Sequence, residues 1–158
     1  SRLCWWYMAN TGTVLANGYF RYKPDYINPF PVPKSISKEA EKAITILADY
    51  IITIKSLPND VIVDEYVEKD AIIRQFENII DALLYELYFP VEFKQVDISF
   101  VNPVLRSFAP IDSKNNQDAV NTIRNSFAQF RDMNNEIRNN LKYISVRLES
   151  LLAPIINI

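Results

Sequence analysis

Apolar residues recur at three- and four-residue intervals over most of the chain, a spacing that predicts helices. Ala40, Ala43, Ile44, Leu47, Ile51 and Ile54 form one stripe, opened by Ser37 as an N-cap with Glu39 and Glu41 in the first turn, and closed at Pro58-Asn59. Ile73, Phe76, Ile80, Leu83 and Leu87 form a second, with Arg74, Gln75, Glu77 and Asn78 off it, as far as Pro90. Together they predict an antiparallel helical hairpin over residues 37–56 and 66–89.

A third pattern is the most regular. Val120, Ile123, Phe127, Phe130, Asn134, Ile137, Leu141, Ile144, Leu148 and Leu151 follow a heptad seam interrupted only by Asn134. No proline or glycine enforces a break, so the expectation is one helix over residues 116–152. At 1.5 Å per residue it would be on the order of 55 Å long and would have to lie along the hairpin or along a second copy of the chain. Asp132-Met133-Asn134-Asn135 ahead of Glu136 is a capping-type sequence, which makes a break near Asn134 the alternative.

Period-two signals are short. Tyr19-Phe20-Arg21-Tyr22-Lys23, after the turn pair Asn17-Gly18, predicts a strand, and Val96, Ile98 and Phe100 suit another. Pro29, Pro31 and Pro33 mark an extended connector. The fold class expected is therefore mainly α: a helical hairpin plus a long C-terminal helix with a coiled-coil-like seam, and a small β element near the N-terminus. The expected divisions are 1–34, 35–112 with the helical pair and connector, and 113–158 with the long helix and tail.

Composition narrows the function. With 158 residues and 49% hydrophobic content, one core can be filled. No apolar run approaches the roughly 18 residues of a bilayer span, which predicts a cytoplasmic protein without a membrane partner. Cys4 is the sole cysteine, so no internal disulfide or ordinary thiolate zinc site can form. Histidine is absent and glycine occurs only at 12 and 18, which removes the commonest general base and every glycine-rich phosphate cradle. The chain is not expected to be an enzyme on its own, nor to hold a metal or cofactor.

The net charge of -2 argues against a broad nucleic-acid surface. Its distribution is uneven: residues 1–34 carry Arg2, Arg21, Lys23 and Lys34 against Asp25, whereas 60–97 is acidic with only Lys69, Arg74 and Lys94 as cations. Arg21, Tyr22, Lys23 and Tyr26 form a basic and aromatic cluster suited to phosphate contact and base stacking, or to a half-buried strand whose cations face water. Glu65, Glu68 and Asp70 read as an acidic helix start more than a metal site. Asp81, on the flank of an apolar helix, suggests a helix-to-helix hydrogen bond or ion pair. Asn28-Pro29-Phe30-Pro31 invites comparison with the Asn-Pro-Pro-aromatic motif of adenine-N6 methyltransferases, and the match fails because the prolines are not consecutive. Leu3, Trp5, Trp6, Tyr7 and Met8 open the chain as a bulky apolar cluster without a cap, which suggests the C-terminal piece of a larger protein.

The order of these parts resembles the TaqI-like C-terminal specificity domain of adenine-specific DNA methyltransferases and fused restriction-modification enzymes. The aromatic segment Leu3 to Tyr7, the strand Tyr19-Phe20-Arg21-Tyr22-Lys23 with Asp25-Tyr26-Ile27, and Phe30-Pro31-Val32-Pro33 look like three successive parts of that region. Ile80-Asp81 with Tyr85-Glu86-Leu87-Tyr88 matches the family's helix-ending pattern, and Phe89 to Lys94 and Asp132 to Arg138 look like tail segments of large fused members. The resemblance implies a non-catalytic piece that supports DNA target recognition in a bacterial or archaeal type II restriction-modification methyltransferase. Catalysis and S-adenosylmethionine would belong to an upstream methyltransferase domain, with or without a fused endonuclease. Double-stranded DNA and that domain would be the partners, with phosphate contacts from Arg21, Lys23 and Lys34 assisted by Tyr22 or Tyr26. The rival expectation is a protein-interaction module that self-associates through the seam of residues 120–151.

Overall fold

The computed structural model describes residues 1–15, 17, 19–21, 23–33, 35–111 and 115–157, with Val14 by its backbone alone. The chain is mainly helical. Helix α1 (Arg2–Thr11) precedes a two-stranded antiparallel ribbon of β1 (Thr13–Val14) and β2 (Phe20–Arg21), in which Thr13 faces Arg21 and Val14 faces Phe20. A single turn, α2 (Pro24–Ile27), leads to the helical pair α3 (Lys38–Ser56) and α4 (Lys69–Tyr88). Four short or medium helices and a terminal one follow: α5 (Pro90–Gln95), α6 (Val101–Ser107), α7 (Asn116–Arg131), α8 (Glu136–Arg147) and α9 (Glu149–Ile156).

Helix α3 starts where expected, with the Ser37 hydroxyl accepting from the Ala40 N–H at 3.1 Å. Helix α4 begins beside the end of α3, where Lys69 Nζ donates to the Pro58 carbonyl, and packs back along it with Tyr50 edge-on to Phe76. Helix α4 is buried on more than one face because α1, α3, α5 and α8 all touch it. Its stripe is correspondingly wider than the expected one, since Ile72, Ile79, Ala82 and Tyr85 are buried as well. One core cluster runs from Leu3 to Ile155, with Tyr50, Phe76, Phe108, Phe127 and Phe130 in edge or tilted ring contact at its centre.

Two expectations need correction. The long C-terminal helix is divided into α7, α8 and α9. Asp132 Oδ1 accepts from the Asn134 N–H at 2.7 Å, and Asn135 Oδ1 accepts from the Ile137 and Arg138 N–H groups at 3.0 and 3.2 Å. These short side chains satisfy the backbone more locally than a continuing helix would, and they end α7 and cap α8. Pro154 lies inside α9 and does not end it.

The expected strand at Val96, Ile98 and Phe100 is a helix-to-helix turn. Val96 ends α5, Asp97 takes a left-handed conformation at φ 55°, and Phe100 sits at the start of α6. The reversal at Asp97 buries Ile98 and Phe100, which produces alternation without a strand. Pro90 follows the end of α4 and also opens α5, because proline suits the first helical turn.

Of the two readings left open for the seam, core or coiled coil, the described residues take the first. Val120, Ile123, Phe127, Phe130, Ile137, Ile144 and Leu148 are buried in the chain's own core, with Leu141 and Leu151 packed against it. Asn134, the expected register-setting polar residue, is exposed in the break. Among the described residues the seam therefore closes on the chain's own core.

Candidate nucleic-acid interface

The predicted cationic cluster falls at the corner where β2 passes into α2. The Lys23 N–H donates to the Arg21 carbonyl at 3.1 Å, and the Tyr26 N–H donates to the Lys23 carbonyl at 3.0 Å, so Arg21, Lys23 and Tyr26 are gathered within one tight reversal. Arg21 and Lys23 are exposed and form no ion pair among the described residues. Tyr22 and Lys34, the other two expected contacts, lie outside the described residues.

Tyr26 has a structural duty. Its hydroxyl shares a 2.6 Å hydrogen bond with Thr13 Oγ1, which ties α2 to β1, and its ring is half-buried. It braces the corner from which Arg21 and Lys23 are exposed. Tyr19, 69% exposed, stands one position before β2, and Ile27 and Val32 add exposed apolar surface nearby in the chain.

The corner is attached through α1. Trp5 on α1 meets Phe20 on β2 edge-on, with ring centroids 4.6 Å apart. Tyr7 meets Phe30 at 4.9 Å, and Phe30 in turn contacts Tyr88 at the end of α4. Phe30, the aromatic of the Asn-Pro-Phe-Pro sequence, is thus a packing anchor. Trp6 packs partly buried against the core, Leu3 enters it, and Trp5 remains 46% exposed. The three adjacent rings face different neighbours, as the geometry of a helix requires.

Helix α1 is also held by polar contacts that its apolar sequence did not announce. Ser1 caps it, with its hydroxyl accepting from the Cys4 N–H at 3.3 Å. The Arg2 N–H donates to Asp81 Oδ1 at 3.0 Å, Arg2 Nε lies 3.7 Å from Asp81 Oδ2, and Arg2 Nη2 donates to Asn78 Oδ1 at 3.2 Å. Asp81 thereby makes both the helix-to-helix hydrogen bond and the ion pair expected of it. Burial raises the Asp81 carboxyl above the ordinary carboxylate range, against the lowering effect of the Arg2 N–H and guanidinium. Beside this junction an open groove of about 710 Å³ is lined by Arg2, Trp5, Asn78, Ile80, Asp81 and Ile155.

Other cations are committed to the fold. Arg124 donates to the carbonyls of Ile62 and Val63, Arg131 pairs with Asp64 at 3.1 Å, and Arg138 donates to the Arg131 carbonyl. Arg124 and Arg131 pin the acidic loop before α4, where Glu65 is exposed, Glu68 stands at the cap position and Asp70 in the first turn, whereas Arg138 ties α8 to the end of α7. Among the described residues no group of three or more carboxylates and thiols is placed to hold a metal ion. No helix among them is long and apolar enough to cross a membrane. No family model, curated protein or solved structure matches the chain.

Proposed function

We propose that the chain is a non-catalytic C-terminal part of a type II restriction-modification DNA methyltransferase, and that it supports target recognition by presenting the Arg21–Lys23 corner to the DNA backbone. What carries the reading is the pairing of two unengaged cations on a braced ribbon corner with a helical body whose other arginines are largely spent on the fold. The Ile80-Asp81 and Tyr85-Glu86-Leu87-Tyr88 segments support it: Asp81 clips α1, and Glu86 caps α6, so these residues serve a presenting scaffold. Their chemistry is structural, in keeping with catalysis by an upstream domain. On this reading S-adenosylmethionine would be held by the upstream domain.

The test is duplex binding by the 158-residue chain at low salt, repeated as salt is raised. Arg21→Ala, Lys23→Ala and Lys34→Ala together should weaken binding and flatten the salt dependence by roughly 0.9 in log–log slope for each phosphate no longer neutralised. Equal affinity and slope in the triple variant, or no binding by the parent chain, overturns the reading.

A further inference from the structure

Helix α1 is the element that carries the ribbon, through the Trp5–Phe20 contact, and its first turn rests on one carboxylate of α4. Asp81 is 7% exposed, and its carboxylate accepts from the Arg2 N–H in that first turn at 3.0 Å. We propose that Asp81 is the positioning residue of the candidate DNA surface, a clip between α4 and the N-terminus of α1 that sets where Arg21 and Lys23 stand. The proposal rests on the DNA-binding reading for its functional half and on geometry alone for the clip itself.

Several features make the clip separable from general stability. A carboxylate removed from water gains little net stability from one backbone bond and a 3.7 Å ion pair, so its value lies in direction more than in energy. Its bond to the N–H fixes the first turn of α1, whose other holds on the body, through Leu3, Trp6, Tyr7 and Met8, are apolar or ring contacts without that directionality. Asp81 does not belong to the cationic corner and makes no contact that DNA would replace.

Both tryptophans of the chain, Trp5 and Trp6, lie on α1, so their emission reports its docking directly. Asp81→Ala should red-shift that emission and lower amide-exchange protection in α1 by about tenfold, the scale of one hydrogen bond to a charged group. Helical circular dichroism should persist. Asp81→Asn, which keeps an acceptor for the Arg2 N–H, should restore both readouts, and Arg2→Ala, which keeps the N–H, should leave them near the parent values. In duplex binding, Asp81→Ala should lower affinity together with the salt slope, since displaced cations no longer neutralise phosphates, and Asp81→Asn should recover both. Partial unfolding would instead lower the active fraction at unchanged slope. Unchanged emission and exchange in Asp81→Ala, or a loss spread evenly over all helices, overturns the clip. A clear emission shift in a chain that never binds DNA retains the clip and rejects the DNA-binding reading.

Discussion

Tyr50 on α3 and Ser126 on α7 share a 2.8 Å hydrogen bond between their hydroxyls, across 76 positions of chain and inside the core. The Tyr50 hydroxyl donates to the Ala109 carbonyl, so it also anchors the segment after α6. Tyr50→Phe removes the partner of the buried Ser126 hydroxyl and of the Ala109 carbonyl at once and should cost about 1–3 kcal/mol in urea unfolding. Ser126→Ala leaves the bond to Ala109 in place and should cost less. Equal costs for the two variants would contradict this division.

Glu86 joins α4 to α6 from the other side. Its carboxylate accepts from Ser99 Oγ at 2.8 Å and from the Phe100 and Val101 N–H groups at 2.7 and 3.3 Å, which caps a helix that has no capping side chain of its own. Glu86→Ala should destabilise the chain by about 2 kcal/mol, as expected for charge-assisted bonds in a partly buried setting. Amide exchange should accelerate first in α6. A loss confined to α3 or α7 would show that the cap is not where the energy lies.

The helical pair is legible in the sequence because both stripes obey a 3.6-residue period and both starts are polar, with Ser37 the plainest instance. Helix α4 is wider than its stripe suggests, since a one-sided pattern cannot foretell a helix packed on several sides. The C-terminal helix misleads for a related reason: a seam can keep its register through a break when Asn135 recaps the next helix in phase. For the candidate site, Arg21, Lys23 and Tyr26 stand out by residue type alone, yet the hydroxyl of Tyr26 is committed to Thr13. The Arg2–Asp81 bond spans 79 positions. Asp81 as an interhelical partner can be read from its place among apolar neighbours, but Arg2 as that partner cannot, because no local pattern encodes a pairing at such distance.

Ile137 separates an inward seam from an outward one. It is fully buried at the start of α8, where it belongs to the core cluster with Phe130 and Leu152. Ile137→Asn should lower stability by at least about 2 kcal/mol through cavity formation and an unpaired buried amide. The mass measured by light scattering should not change. A variant that remains fully folded while an oligomer dissociates would place the seam at an intermolecular surface instead.

Tyr85 completes the Asp81 neighbourhood with a different kind of group. Its hydroxyl is buried without a hydrogen-bond partner among the described residues, and burial first, then the nearby Asp81 charge, pushes its pKa up to about 12 from the ordinary 10.0. The unfolded chain loses this proton near pH 10 while the folded chain keeps it to about 12. The unfolded state therefore binds fewer protons across that window, and stability falls as pH rises through it. At full extent the loss is on the order of 2–3 kcal/mol for two pKa units in a buried group. Tyr85→Phe should be neutral or stabilising at pH 7, since it removes an unpaired hydroxyl and keeps the ring. It should also reduce the fall in urea midpoint between pH 10 and 12, measured against the parent chain. A Tyr85→Phe variant that is more than about 1 kcal/mol weaker at neutral pH would mean that the hydroxyl has a partner in solution, for which a bound water bridging to Asp81 is the natural candidate.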